Sequence, residues 1–141
     1  MVVRQIIPER IYDINADLVV FNPIKRDLEL TLERVRTQSY GKYPSRLFAT
    51  FVFPDSDLYE SLWRPKLHLD NGYTLLRLKT DEEVYWFNAY ILDDANGNNH
   101  DEISRRYWRS GRSVYDANQQ GFLCEGICSS NLKIIDVINK M

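Results

Sequence analysis

Glu125 is the first residue whose type and setting suggest chemistry. It stands in Phe122-Leu123-Cys124-Glu125-Gly126-Ile127-Cys128, a run otherwise apolar or small. A carboxylate inside a strand of that composition must reach water, find a partner or shift its pKa. Two readings are open: the wet face of an edge strand, or an inward-facing group in a site. Arg105, Arg106, Arg109 and Arg112 form the one basic cluster. On a helix, Asp101–Arg105 and Glu102–Arg106 are i, i+4 pairs in the favourable orientation. Arg109 and Arg112 then offset the dipole near the helix C-terminus. The cluster is either a solvated helix face or a phosphate or partner contact. Asp93-Asp94-Ala95-Asn96-Gly97-Asn98-Asn99 invites a calcium reading, which fails on spacing. With Gly97 at the sixth loop position, Leu92 and Ile103 fall where oxygen ligands are required. The stretch reads as a turn leading to a helix N-cap. His68 and His100 are isolated and lack ligand spacing, so no metal site is expected.

The elements that must position these residues are organised around Pro44-Ser45-Arg46-Leu47-Phe48-Ala49-Thr50-Phe51-Val52-Phe53-Pro54-Asp55-Ser56-Asp57. Six of the eight residues from Arg46 to Phe53 are apolar or small, which predicts a buried strand bracketed by prolines. Asp55 or Ser56 then caps a helix over Asp57–Arg64, which Pro65 ends. Before that unit, Val2–Ile7 is an apolar stretch stopped by Pro8, and Arg10–Ile14 alternates as a first strand. Asp17–Phe21 fits a strand or a short helix. Arg26–Gln38 carries Leu28, Leu32 and Val35 at i, i+4, i+7 and is helical. After it come a strand over Tyr73–Lys79 and a second over Val84–Leu92 hydrogen-bonded to the first. A helix over Asp101–Ser110 ends at Gly111, and strands cover Phe122–Cys128 and Leu132–Val137. Strands and helices mix without βαβ alternation, which predicts an α+β fold with mostly antiparallel sheets.

The 141 residues are expected to form a single α+β domain, 1–141, able to bury a core without disulfides or metals. The net charge of −2 gives no global field for nucleic acid or an anionic membrane. No segment approaches the ~20 apolar residues of a membrane span, and no leader-like apolar stretch opens the chain. Cys124 and Cys128 on one strand sit ~13 Å apart, too far for a bridge. Reduced packing thiols and a cytoplasmic setting are the expectation.

Several pieces together resemble small ADP-ribosyltransferase-like domains. Ile103-Ser104-Arg105-Arg106-Tyr107-Trp108-Arg109-Ser110-Gly111 matches a helix ending in a Tyr-Trp pair and a small residue. Cys124-Glu125-Gly126-Ile127 matches the following glutamate-bearing strand, and Leu132-Lys133-Ile134-Ile135 the last strand. Pro44-Ser45-Arg46 before Phe51-Val52-Phe53 resembles the second motif, and Arg10-Ile11-Tyr12 stands where the first strand carries His or Arg. The resemblance implies two packed, split antiparallel sheets with flanking helices and NAD as co-substrate in the cleft between them. Cleavage of the nicotinamide bond passes through an oxocarbenium-like ribose, which a glutamate stabilises while holding a ribose hydroxyl. Carried over, Glu125 is that glutamate and Arg10 holds the adenylate half. Ser45 or Thr50 supports the cleft, and Arg46 contacts phosphate. The chain departs from the family pattern in lacking a Ser-Thr-Ser triplet and a first-strand His-Tyr. Leu123 also stands two residues before Glu125, where transfer onto arginine goes with a second acid.

Two functions follow. The first is an NAD-dependent transferase acting on a macromolecular target, a protein rather than nucleic acid. The second is a non-catalytic module on the same kind of fold, binding a partner protein through exposed aromatics and arginines. Convergence of Arg10, Ser45 and Glu125 on one cleft favours the enzyme; a filled cleft favours the binder.

Overall fold

The computed structural model describes residues 1–8, 23–67, 69, 72–115, 120–128 and 131–140. Six antiparallel strands form one sheet in the order β4-β5-β2-β1-β3-β6. They are β1 (Val2–Pro8), β2 (Thr50–Pro54), β3 (Tyr73–Lys79), β4 (Tyr85–Asn88), β5 (Cys124–Cys128) and β6 (Lys133–Lys140). Helices α1 (Pro23–Ser39), α2 (Asp57–Trp63) and α3 (His100–Arg109) flank it, with short 3-10 turns over Arg64–Lys66 and Ala89–Asp94. The α+β class and antiparallel pairing expected from the sequence are present. In place of two separate sheets there is one continuous ladder, narrow at its middle. The β1–β2 seam has two paired positions, Val3 with Pro54 and Arg4 with Phe53, whereas β1 and β3 pair along seven.

Several elements differ from expectation for identifiable reasons. The first described strand is Val2–Pro8; Arg10–Ile14 and Asp17–Phe21 lie outside the described residues. The central strand begins at Thr50, not Arg46. Ser45 to Phe48 form a turn instead, closed by Phe48 N–H to Ser45 C=O at 3.3 Å and by Leu47 N–H to Ser45 Oγ at 3.2 Å. An arginine cannot lie unpaired in a buried strand, and the turn delivers Arg46 to carboxylates instead. Leu47 and Phe48 consequently point to solvent. The Val84–Leu92 run does not pair with β3, because β1 and β6 already occupy both edges of β3. Its strand is β4, which pairs with β5 and stops at Asn88. The Asn88 side chain accepts hydrogen bonds from Tyr90 N–H and Leu123 N–H, turning the chain into the 3-10 segment. Asp101 pairs with Arg34 of α1 and Arg106 with Asp94, so the expected i, i+4 pairs are replaced by contacts between elements. The Asn-rich loop is a turn, as expected, held by Asn96 N–H to Asn99 Oδ1 and Asn98 N–H to Asn96 Oδ1, both 2.9 Å.

The sheet separates two hydrophobic cores. Val3, Ile6, Val52, Phe53, Tyr59, Leu75 and Trp86 belong to the core on the α2 side. Leu28, Leu32 and Val35 of α1 pack with Ile103, Tyr107 and Trp108 of α3, together with Phe87 and Ile127, in the other. The i, i+4, i+7 stripe of α1 thus buries against α3, and Trp108 Nε1 donates to the Leu32 carbonyl at 2.9 Å. β5 lies between β4 and β2, and all five of its residues are buried. Cys124 and Cys128 enter the first core as free thiols, and Ile127 enters the second. Strand alternation therefore turns Glu125 to the α1–α3 side.

A charge network fastens α2 to the other half of the sheet. Arg4 on β1 donates to Asp55 at 2.6 Å, Asp57 at 2.8 Å and Glu60 at 3.0 Å, and Arg77 on β3 reaches Asp55 at 2.9 Å. Asp55 is thereby taken from the expected capping role. Ser56 stands at the N-cap of α2 without a side-chain cap bond. Chiefly the hydrogen bond from Arg77, against burial, holds the Asp55 carboxyl below its ordinary 3.8, and Arg4 adds to it.

Two outcomes follow. A depressed carboxyl stabilises the fold at pH above its unfolded value, and that gain disappears as pH falls through the folded value. Asp55→Asn is expected to be less stable than the native chain at about pH 7, with the gap narrowing as denaturation is repeated down to about pH 2. Gly126 sits at the crowded centre of β5, where a Cβ would lie 2.7 Å from Trp86 Cζ3 and 2.8 Å from Val52 Cγ2 and Val84 Cγ1. Gly126→Ala is expected to cost roughly 1–3 kcal/mol in chemical denaturation through overpacking.

Candidate active site

Glu125 shares its surroundings with three side chains from three other elements. Arg46, in the turn before β2, bonds Glu125 Oε1 through Nη1 and the Tyr107 hydroxyl at 2.6 Å through the same nitrogen. Its Nη2 reaches Glu29 Oε1 at 2.8 Å and its Nε reaches Glu29 Oε2 at 3.0 Å. Tyr107, on α3, donates its hydroxyl to Glu125 Oε1 at 2.7 Å. The guanidinium carbon lies 4.8 Å from the Phe51 ring centroid and 4.9 Å from that of Tyr107. The side chains of Arg46 and Glu125 are 8% and 10% exposed, so this is a buried ion pair whose charges are hydrogen-bonded rather than solvated. Burial opposes the Arg46 charge, yet Tyr107, Glu125 and Glu29 together hold its pKa well above the ordinary guanidinium value. Burial, opposed by Arg46 and reinforced by Glu125, raises the Tyr107 phenol well above its ordinary 10.0, so it stays a donor.

Glu125 also faces open space. One lobe, of about 260 Å³, is lined by Leu28, Glu29, Lys66, Leu92, Asp93 and Leu123, among others. A second of the same size is lined by Gln5 and Ile6 of β1, Phe51, Val52 and Phe53 of β2, and Leu67. Both lobes share Glu125 and Trp63 as walls. The second lobe lies over the β1–β2 seam, where the sheet is narrowest. Trp63, at the end of α2, is fixed by its indole N–H donating to the Cys124 carbonyl at 2.9 Å, next to Glu125 in the chain. The first lobe carries charge, including a Lys66–Asp93 pair; the second is lined chiefly by apolar side chains, with Gln5 and Glu125 as its polar residues. Among the described residues no group of His, Cys, Asp and Glu is arranged to hold a metal ion, and no helix is long and apolar enough to cross a membrane.

The chain matches, over residues 9–140, a family described as a protein of unknown function, DUF2441. It belongs to that family. No curated protein matches it. The family description carries no activity.

The residues expected at the site scatter in part. Glu125 and Arg46 meet directly, although the donors of Arg46 are engaged with Glu29, Tyr107 and Glu125 rather than open to a phosphate. Ser45 donates to Glu33 Oε2 at 2.7 Å and belongs to the Glu33–Arg36 pair on α1. Thr50 opens β2, paired with Cys128, and lines neither lobe. Arg10 lies outside the described residues. Sequence reasoning missed Glu29, Tyr107 and Trp63 as site residues. Glu29 was legible only as the acid bordering the Leu28–Leu32 stripe, and Tyr107 only as half of the Tyr-Trp pair.

Removing one partner of a buried ion pair leaves the other charge uncompensated. Arg46→Ala is expected to lower stability in urea denaturation by about 3 kcal/mol or more, whereas Glu125→Gln, which keeps shape and hydrogen bonding, costs less.

Proposed function

We propose that this DUF2441 chain is an NAD-dependent ADP-ribosyltransferase-like protein that modifies a macromolecular target, with Glu125 stabilising the oxocarbenium-like ribose. The observation that carries the reading is the placement of Glu125: a buried, cation-held carboxylate on a central strand, in a wall common to two cavities. The sheet that halves at a two-pair seam supports the finer description, in which two split antiparallel halves flank an NAD cleft. A single lobe falls below the ~300 Å³ typical of ligand pockets, so a dinucleotide must use both, passing Glu125 and Trp63.

In that reaction the bond from ribose C1′ to the nicotinamide nitrogen breaks and nicotinamide leaves with the electron pair. Positive charge develops at C1′ and O4′ of the ribose, where a fixed carboxylate is worth most in a water-poor site. Glu125 accepts a ribose hydroxyl hydrogen bond and faces that charge. A nucleophile of the target bonds C1′ and releases its proton. Arg46 and Tyr107 hold the Glu125 carboxylate in place for both roles. The family resemblance assigns Arg10 to the adenylate half. A protein target fits the near-neutral charge better than nucleic acid does.

The competing reading, a partner-binding module, draws on aromatic content. Trp86, Trp108, Tyr59 and Tyr107 are core residues, and Phe48 is the aromatic that stands out to solvent among the described residues. The cleft at Glu125 is open rather than filled. Both features favour the transferase, whereas Ser45, bonded to Glu33, does not join Glu125 at the cleft.

Titration calorimetry with NAD tests the proposal. The native chain is expected to bind at micromolar to low-millimolar concentration, with binding lost in Arg10→Ala. Glu125→Gln is expected to retain binding while abolishing nicotinamide release. Absence of heat at millimolar NAD removes the enzyme reading.

A further inference from the structure

Glu125 Oε1 receives two hydrogen bonds, from Arg46 Nη1 and from the Tyr107 hydroxyl, and Oε2 takes part in neither. The Tyr107 ring is itself held firmly. It is fully buried, stacks on Phe87 with centroids 4.9 Å apart, and meets Trp108 edge-on at 5.2 Å. Its hydroxyl has no second location, because the same oxygen accepts from Arg46 at 2.6 Å. Two donors converging on one oxygen fix the rotation of the carboxylate as well as its position. Tyr107 lines neither lobe, so whatever it contributes passes through Glu125.

We propose that Tyr107 is the positioning residue of this site: its hydroxyl, acting with Arg46, pins Oε1 so that Oε2 is the oxygen offered to a ligand hydroxyl in the cleft. The inference rests on the transferase reading only for the identity of that hydroxyl, which there belongs to the ribose. A carboxylate oxygen accepts hydrogen bonds, and therefore favours a ligand that donates, such as a sugar hydroxyl, over a phosphate or carboxylate. Arg46 reaches Glu125 through Nη1 alone, because its Nη2 and Nε are held by Glu29. The phenol, which has a single proton to give, adds a second fixed direction at the same oxygen.

Tyr107→Phe removes one oxygen and leaves the stacking intact. Two readouts on the full chain separate positioning from mere packing. The first is carbon NMR of the Glu125 γ- and δ-carbons. One narrow set of signals is expected in the native chain and broadened or doubled signals in a folded Tyr107→Phe, because the carboxylate gains a second orientation. The second is NAD cleavage. kcat is expected to fall about 10- to 100-fold while KM stays within about threefold, the signature of lost alignment rather than lost binding. Unchanged Glu125 signals, or an unchanged kcat, in the folded variant overturns the proposal. If the native chain cleaves no NAD, the transferase reading fails while the Glu125 signals still decide the role of Tyr107. Should the variant not fold, the Tyr107 hydroxyl proton decides. It is expected to exchange slowly in the native chain and to shift in Glu125→Gln; a freely exchanging proton overturns the proposal.

Discussion

Arg46 joins four parts of the chain that are distant in sequence, and the shape of the site follows from satisfying it. Its guanidinium carries a full charge into a place where water hardly reaches, and every N–H must find an acceptor there. Glu29 from α1, Glu125 from β5 and the Tyr107 oxygen from α3 supply them. The faces of the guanidinium rest on the Phe51 and Tyr107 rings. Such a cluster is weak evidence for stability, since an apolar replacement of similar volume often folds as well. It is better evidence for a requirement of geometry. A buried glutamate bonded to a cation beside open space is costly to build, and packing alone gives no reason for it.

The sheet explains how that orientation is reached. β5 runs through the middle of one half with a core on each face, so its alternate residues belong to different environments. Cys124 and Cys128 fill one side, and Ile127 the other. Glu125 falls on the side of α1 and α3, where no apolar residue replaces it and the open lobes begin. Gly126 completes the arrangement by letting Trp86 and Val52 close over the opposite face. At the narrow β1–β2 seam the backbone ladder is nearly interrupted, and there the second lobe opens. The Arg4–Asp55–Arg77 network then ties α2, and with it Trp63, to the β1–β3 half.

The chemistry proposed for the cleft asks little of the chain beyond this. Nicotinamide is a good leaving group, and the difficult step is stabilising charge on the ribose. The proposed set is one carboxylate, the cation that bonds it and the phenol that shares its oxygen. Their segregation in a water-poor pocket strengthens each interaction relative to water. Of the departures from the transferase pattern, Leu123 in the wall beside Glu125 bears on the target, whereas the missing Ser-Thr-Ser triplet and first-strand His-Tyr bear on the activity itself.

From the sequence alone, the α+β class, α1, β3, α3, the Asn-rich turn and Glu125 as the anomalous residue were all legible. Each rests on local information: a 3.6-residue stripe, an alternating run, an Asn-Gly pair, a carboxylate among apolar neighbours. What could not be read is everything that depends on which strand edge meets which. β4 pairs with β5 because β3 has no free edge, and β2 starts late because Arg46 is drawn into a turn toward acids that lie 17 and 79 residues away. Ser45 and Thr50 carried the right residue types for a polar site but were directed elsewhere, to Glu33 and to the strand ladder. Tyr107 and Glu29 looked like ordinary helix residues, since a helical pattern records which face is apolar and not what the border residues touch. The sequence by itself determined the elements and the one misplaced charge; tertiary structure decided its partners, because burial and pairing of charge are settled only when distant segments meet.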